Sequence, residues 1–245
     1  MVFTAALHAE WIKVRSLRST LGCLLAVLPV TVGTTAAVCA AFGDGESREP
    51  GFDPLFTAFY GLNFGQLAAV AFGTAAVAAE YRGGAIRVSL AAVPRRGVFH
   101  AAKMVAVGGP ALAVGLLTGP AAFLAGGALL DGRGTAPGDP GAVRAMLGCG
   151  VYLALLALLA AGLTTVLRSG AAALGLLVPF LLIVPFVVGD LAGGAARYLP
   201  DRAGQLVLHT SPEGGPGPWE GLGVTACWAA AAVLAGWWRL ARRDA

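Results

Sequence analysis

EYRGGAIRVSLAAVPRRGVFHAAK, residues 80–103, is the one long charged interruption between apolar runs that lies away from both ends of this chain. It holds Arg82, Arg87, Arg95, Arg96 and Lys103 against a single acid, Glu80. Gly83 and Gly84 permit a sharp change of direction. AIRVSLAAV then has the spacing of a short helix, with Ile86, Leu90 and Val93 on one face and Arg87 nearer the other. Pro94 stops it, because the residue before a proline is pushed out of helical geometry. Positive charge in a connector needs no special function, since loops on the cytoplasmic side of a membrane carry it. That accounts for Arg95, Arg96 and Lys103. It does not account for a helix with its own apolar face between a glycine hinge and a proline stop.

The flanks of this loop decide the fold. Of the 245 residues 57% are hydrophobic and 12% charged, against about 25% charged in soluble domains. Too little charge is present to clothe a water-exposed surface, so lipid is the solvent for most of the chain. Apolar runs fall at roughly 20–42, 56–79, 104–130, 145–167, 171–189 and 221–238. About 20 apolar residues cross a bilayer core as a helix, so these runs predict six spans in one membrane domain, residues 1–245. Thr20 to Phe42 is 23 residues without a charge, longer than the apolar core of a signal peptide, and reads as a retained span. Pro179 and Pro185 predict a kink or break in the fifth run; Pro29, Pro110 and Pro120 predict bends in the first and third. Gly61 with Gly65, and Gly115 with Gly119, have the spacing that lets helices approach closely.

Ahead of the first span, HAEWIKVRSLR (8–18) places Leu7, Trp11, Val14 and Leu17 or Arg18 at helical spacing beside Lys13 and Arg15. That is the pattern of a helix lying in the membrane interface. Between the fifth and sixth runs, 190–220 mixes apolar and polar residues and predicts an amphipathic or re-entrant outer helix. Grouping the N-terminus, the 80–103 loop, Arg168 and the C-terminus on one side puts twelve cations there, among them Arg239, Arg242 and Arg243. Five remain opposite: Arg48, Arg133, Arg144, Arg197 and Arg202. The asymmetry predicts cytoplasmic termini and a cytoplasmic 80–103 loop. The net charge of +4 is then a topology signal facing anionic lipid, with no nucleic-acid partner implied.

Catalytic patterns are missing. Cys23, Cys39, Cys149 and Cys227 lie inside apolar runs and form no C-x-x-C pair. His8 and His100 fall on the basic side and His209 opposite, so no metal set is expected. The chain has no G-x-S-x-G, no H-E-x-x-H and no phosphate-binding loop before a lysine. It is read as a non-enzyme that binds no cofactor itself. Asn63 and Gln66, with Thr57 and Tyr60 a turn or two outward, are polar residues along the second span. They line a substrate path or bond between helices. The remaining walls of Ala, Leu, Val and Gly suit a lipophilic or amphipathic cargo better than a bare ion.

Taken together, EYRGGAIRVSLAAVPRR-x₆-AK, the N-terminal HAEWIKVRSLRSTL and the C-terminal WWRLARRDA resemble the permease subunits of type-2 ATP-binding-cassette (ABC) exporters, especially those of actinobacteria. The resemblance covers essentially the whole chain. It implies an all-α integral membrane protein of a bacterial plasma membrane, with six spans. It also implies that the 80–103 loop carries a coupling helix docking on a separate cytoplasmic ATPase subunit. The matching positions are Glu80, Tyr81, Arg82, Gly84, Ile86 and Arg87; Glu10, Trp11, Lys13, Ser16 and Arg18 match the interfacial helix. Ala85 departs from the family pattern, where a threonine often supplies a capping hydroxyl. ATP would enter through the partner, and the permease would pair with itself or a relative. The rival reading is a non-transporting membrane anchor that recruits a cytoplasmic partner through its basic loop.

Overall fold

The computed structural model describes residues 2–46, 52–130, 134–189, 194–210 and 215–242. Among them every regular element is helical. A helix α1 (Val2–Ser16) turns at Leu17 into α2 (Arg18–Glu46). A short α3 (Pro54–Thr57) leads into α4 (Leu62–Tyr81), and α5 (Ala85–Ala92) is the short helix of the loop. Two long helices follow, α6 (Arg96–Leu129) and α7 (Ala142–Leu167). Then come α8 (Gly170–Leu182), α9 (Val184–Gly189), α10 (Pro200–Gln205) and finally α11 (Pro218–Arg242).

Five of these segments, those containing α2, α4, α6, α7 and α11, are long and apolar enough to cross a membrane. The chain is a multi-pass membrane protein. In hydrocarbon every backbone N–H and C=O must be satisfied within the segment, which a helix achieves and a loop does not. The side chains agree: Leu25, Leu117, Leu124, Leu176 and Leu234 point outward, as they do where the surrounding solvent is lipid. The stretch expected as a fifth span is two helices, interrupted at Ile183. Pro185 has no N–H to give Leu181, and its ring crowds that carbonyl, so the helix breaks one turn before it. α2 and α6 run unbroken through Pro29, Pro110 and Pro120.

Helix α7 is the centre of the bundle, packed by α4, α6 and α11. Close approach depends on missing side chains. A Cβ at Gly73 would overlap the Ala157 carbonyl of α7, and one at Gly119 would overlap the Met146 carbonyl. The two glycine pairs of the sequence are both contact points: Gly61 and Gly65 meet Thr31 of α2, and Gly115 and Gly119 meet α7.

α6 begins eight residues earlier than the apolar run from 104 suggests, because Arg96 to Lys103 are already helical. At about 1.5 Å per residue this 34-residue helix is about 50 Å long, well beyond the ~30 Å hydrocarbon core, so its first turns emerge from it. Those turns, α1, α5 and the C-terminal ends of α4, α7 and α11 form one end of the bundle. Arg96 Nη1 donates to the Leu240 carbonyl at 2.9 Å, and the Tyr81 hydroxyl to the Thr165 carbonyl at 3.4 Å. The basic groups assigned to one side in the charge count gather here; Arg243, and Arg48 and Arg133 of the other group, lie outside the described residues. At the opposite end, Asp53 is bonded to His209 and Thr210.

Candidate functional site

The first candidate site is the basic end, and it is built around Glu80. This side chain is only 4% exposed, at the last turn of α4. Its Oε1 accepts from Lys103 Nζ at 2.7 Å and from Lys13 Nζ at 2.8 Å, and its Oε2 accepts from Ser89 Oγ at 2.8 Å. Lys13 also donates to Glu10 Oε1 at 2.9 Å and lies 3.0 Å from Ser89 Oγ. Lys103 forms a second ion pair with Glu10. The two lysine heads stand 5.7 and 5.8 Å from the centre of the Phe99 ring. Two acids and two lysines from α1, α4 and α6 thus balance in charge, and Ser89 adds α5 to the same cluster. Burial works against the charge of Lys13, but its hydrogen bonds to Glu80 and Glu10 outweigh this and raise its pKa above the ordinary lysine value.

Helix α5 leaves α4 through Gly83 and Gly84, both in the left-handed region with φ of 61° and 73°. Only glycine adopts this readily, and two in succession reverse the chain. The helix starts at Ala85 with Gly84 as its N-cap and no capping side chain, in line with the missing hydroxyl at Ala85. The apolar face read from the sequence turns inward. Ile86 is 7% exposed and packs with Phe99 and Leu240, with Leu90 and Val93 beside them. The reason is local: the α6 and α11 ends offer an apolar cluster on the side to which the Gly83–Gly84 turn swings the helix. The outward face carries Arg82, Gly84, Arg87 and Val88, the last 73% exposed.

The sequence-selected residues therefore divide. Arg82, Gly84 and Arg87 are outward, whereas Glu80, Tyr81 and Ile86 hold α5 in place. In α1, Glu10 is buried with Ala6 and Val14, and Lys13 joins the ion cluster. Trp11 and Ile12 face outward, Ser16 Oγ donates to the Lys13 carbonyl, and Arg18 is exposed at the start of α2. Sequence reasoning missed Lys103 and Ser89. Lys103 looked like one more topology charge at a span boundary. It sits two turns inside α6 on a packed face, a position visible only once the true start of α6 is known.

The second candidate site is a cavity of about 740 Å³ near the opposite end. Its lining polar residues Asn63, Gln66, Asp201 and Gln205 are tied together and to Tyr152, which is buried behind them. The Tyr152 hydroxyl of α7 lies 2.5 Å from Gln66 Oε1 of α4 and 2.8 Å from Asp201 Oδ1 of α10. One phenolic proton serves only one of these acceptors at a time. Gln205 Nε2 donates to Asp201 Oδ1 at 2.8 Å and to Asn63 Oδ1 at 3.0 Å, and Gln66 Nε2 donates to the Asn63 carbonyl at 3.2 Å. Burial raises the pKa of the Asp201 carboxyl despite hydrogen bonds from Tyr152, Gln66 and Gln205 that pull it down. Tyr60 stands at the rim. Of the polar residues selected in the second span, Tyr60, Asn63 and Gln66 line this cavity, and Asn63 and Gln66 also bond between helices. Thr57 does not line it but is buried in α3, its hydroxyl donating to the Asp53 carbonyl at 2.9 Å. Asp201, Gln205 and Tyr152 were not expected, since nothing in the sequence sets α10 against α4.

The segment containing α10, expected as an amphipathic or re-entrant helix over 190–220, packs into the bundle, and its residues 190–193 and 211–214 lie outside the described residues. Asp201, Ala203, Gly204 and Gln205 are all buried, and Thr225 of α11 donates to the Pro200 carbonyl at 2.9 Å. Gly204 lies against the Tyr152 ring, where a Cβ would overlap it. Asp53 pins the following chain through the Thr210 N–H at 2.9 Å and hydroxyl at 2.7 Å, with the His209 ring stacked on Phe56 at 4.2 Å.

In comparisons with known proteins, no family model matches the chain, and no curated protein matches it.

Proposed function

We propose that this chain is the permease subunit of an ATP-driven exporter of the type-2 ABC kind, in a bacterial plasma membrane with both termini cytoplasmic. Two such chains, identical or related, would pair, and α8 with α9 would supply a sixth crossing. ATP is hydrolysed by a separate cytoplasmic ATPase subunit that docks on the outward face of α5, through Arg82, Arg87 and Val88. The cargo is lipophilic or amphipathic.

One observation carries this reading. An exposed short helix is fastened by a single buried ion cluster to the ends of α1, α4 and α6. A push on α5 is therefore delivered to several helices at once and is not absorbed by a slack loop. Coupling requires that ATP-bound and ATP-free partners prefer different permease conformations. The interrupted α8–α9 segment, beside the cavity, is the element best suited to differ between them.

The test is affinity purification of the full chain from mild detergent with its bound proteins identified. Recovery of a phosphate-loop ATPase, lost in Arg87→Glu with the fold retained, is the expected result. Retention of a partner that lacks any nucleotide site would favour the membrane-anchor reading.

A further inference from the structure

The geometry points to the cavity as the binding site of an anionic amphiphile, with its charged head at Arg197 and Arg202 and its chain along Phe64, Leu181 and Leu182. The inference rests on the transport reading only in calling this molecule a cargo. The volume, about 740 Å³, lies within the ~300–1,000 Å³ of small-molecule sites. The lining holds both apolar and charged groups. Leu181, Leu182 and Pro185 form an apolar wall from the broken α8–α9 segment, faced by Phe64 and Tyr60 of the α4 side.

The charges select the sign of the head. Arg197 lines the cavity, is exposed, and makes no side-chain hydrogen bond or ion pair among the described residues. Arg202 spends one Nη2 donor on the Pro185 carbonyl and lies close enough to Asp201 for their charges to interact, while its remaining donors make no other hydrogen bond among the described residues. Two forked cations at one rim suit a carboxylate or phosphate. The one acid of the lining, Asp201, is only 9% exposed and already engaged by Tyr152 and Gln205. A lipophilic cation would meet two arginines in the lining and a single carboxyl already bonded to its neighbours.

The experiment is photolabelling of the full chain in phosphatidylcholine nanodiscs with a diazirine-bearing dodecanoic acid, followed by peptide mapping. Competitors are dodecyl phosphate, dodecyltrimethylammonium and inorganic phosphate. The expected result is labelling of 60–66 and 181–185 that dodecyl phosphate suppresses and the other two do not. Arg197→Gln, which breaks no internal bond, should need about tenfold more probe for equal labelling. Equal suppression by dodecyltrimethylammonium, or unchanged labelling in Arg197→Gln, overturns the anionic head. Equal suppression by inorganic phosphate overturns the amphiphile in favour of a bare anion. Labelling confined to outward positions such as Leu117 and Leu124 overturns the site itself. Because no ATPase is needed, specific labelling without a co-purifying ATPase would leave the cavity standing while the exporter reading fell. The reverse pattern would remove only the cavity assignment.

Discussion

Glu80 and Lys103 stand 23 residues apart in the chain and 2.7 Å apart in space, both almost fully buried. Between them the chain makes the α5 excursion, so this one ion pair closes the loop at its base. Ser89 and Lys13 then fix how the loop lies across that base.

Removing Glu80 should be costly. Glu80→Gln leaves Lys103 and Lys13 sharing only Glu10, and breaking a buried pair costs about 3–5 kcal/mol. A large drop in melting temperature is expected by fluorescence-detected size exclusion. Adding Lys103→Met should recover part of the loss, because the unpaired buried charge goes with it. Equal losses in the single and double variants would show that the cluster is not acting as a charge pair.

Substitutions on the other face of α5 should separate docking from folding. Arg87→Glu and Val88→Asp touch only the outward surface, where changes usually stay within about 0.5 kcal/mol. Unchanged melting with loss of ATPase association and transport is the expected pair of results. ATPase association unaffected by either substitution would move the docking surface elsewhere.

Enlarging a contact glycine should disrupt the bundle. Gly119→Val drives a side chain into the Met146 carbonyl of α7, which a rigid helix backbone cannot give way to. Overpacking of this kind costs about 1–3 kcal/mol or more. Gly109→Ala, on the same helix with open space beside it, should leave melting unchanged and serves as the control.

Acid should loosen the outer end through Asp53. Burial alone would raise this carboxyl, but hydrogen bonds from His209, Thr210 and Phe56 N–H outweigh it and hold the pKa below the usual carboxylate range. A depressed carboxyl contributes stability that is fully present above its unfolded pKa of about 3.9 and is lost as pH falls through the folded value. The stability difference between wild type and Asp53→Asn should therefore be larger at about pH 5 than below about pH 4, where it shrinks as the carboxylate is protonated. A difference that persists unchanged to the lowest pH would show that Asp53 acts by shape alone.

Much of the architecture is legible in the sequence. Apolar run lengths located five of the six expected membrane segments as long helices, because lipid forces the backbone into helices of a length set by the bilayer; the fifth run gives two shorter helices instead. The Gly83–Gly84 hinge and Pro94 bounded the short helix to within a residue or two, since these are local steric effects. Pro185 foretold the break near Ile183 for the same reason.

Partner choice was decided by the tertiary structure. The stretch that organises the sequence, residues 80–103, contributes Glu80 and two of its partners, Ser89 and Lys103, but the third, Lys13, comes from 67 residues away on α1. Tyr152 and Asp201 are 49 residues apart, and Asn63 and Gln205 are 142 apart. Charge, hydropathy and local sterics act along the chain and can be counted there. Which acid meets which lysine, and which face of α5 turns inward, depends on how whole helices pack, and only the folded bundle sets that.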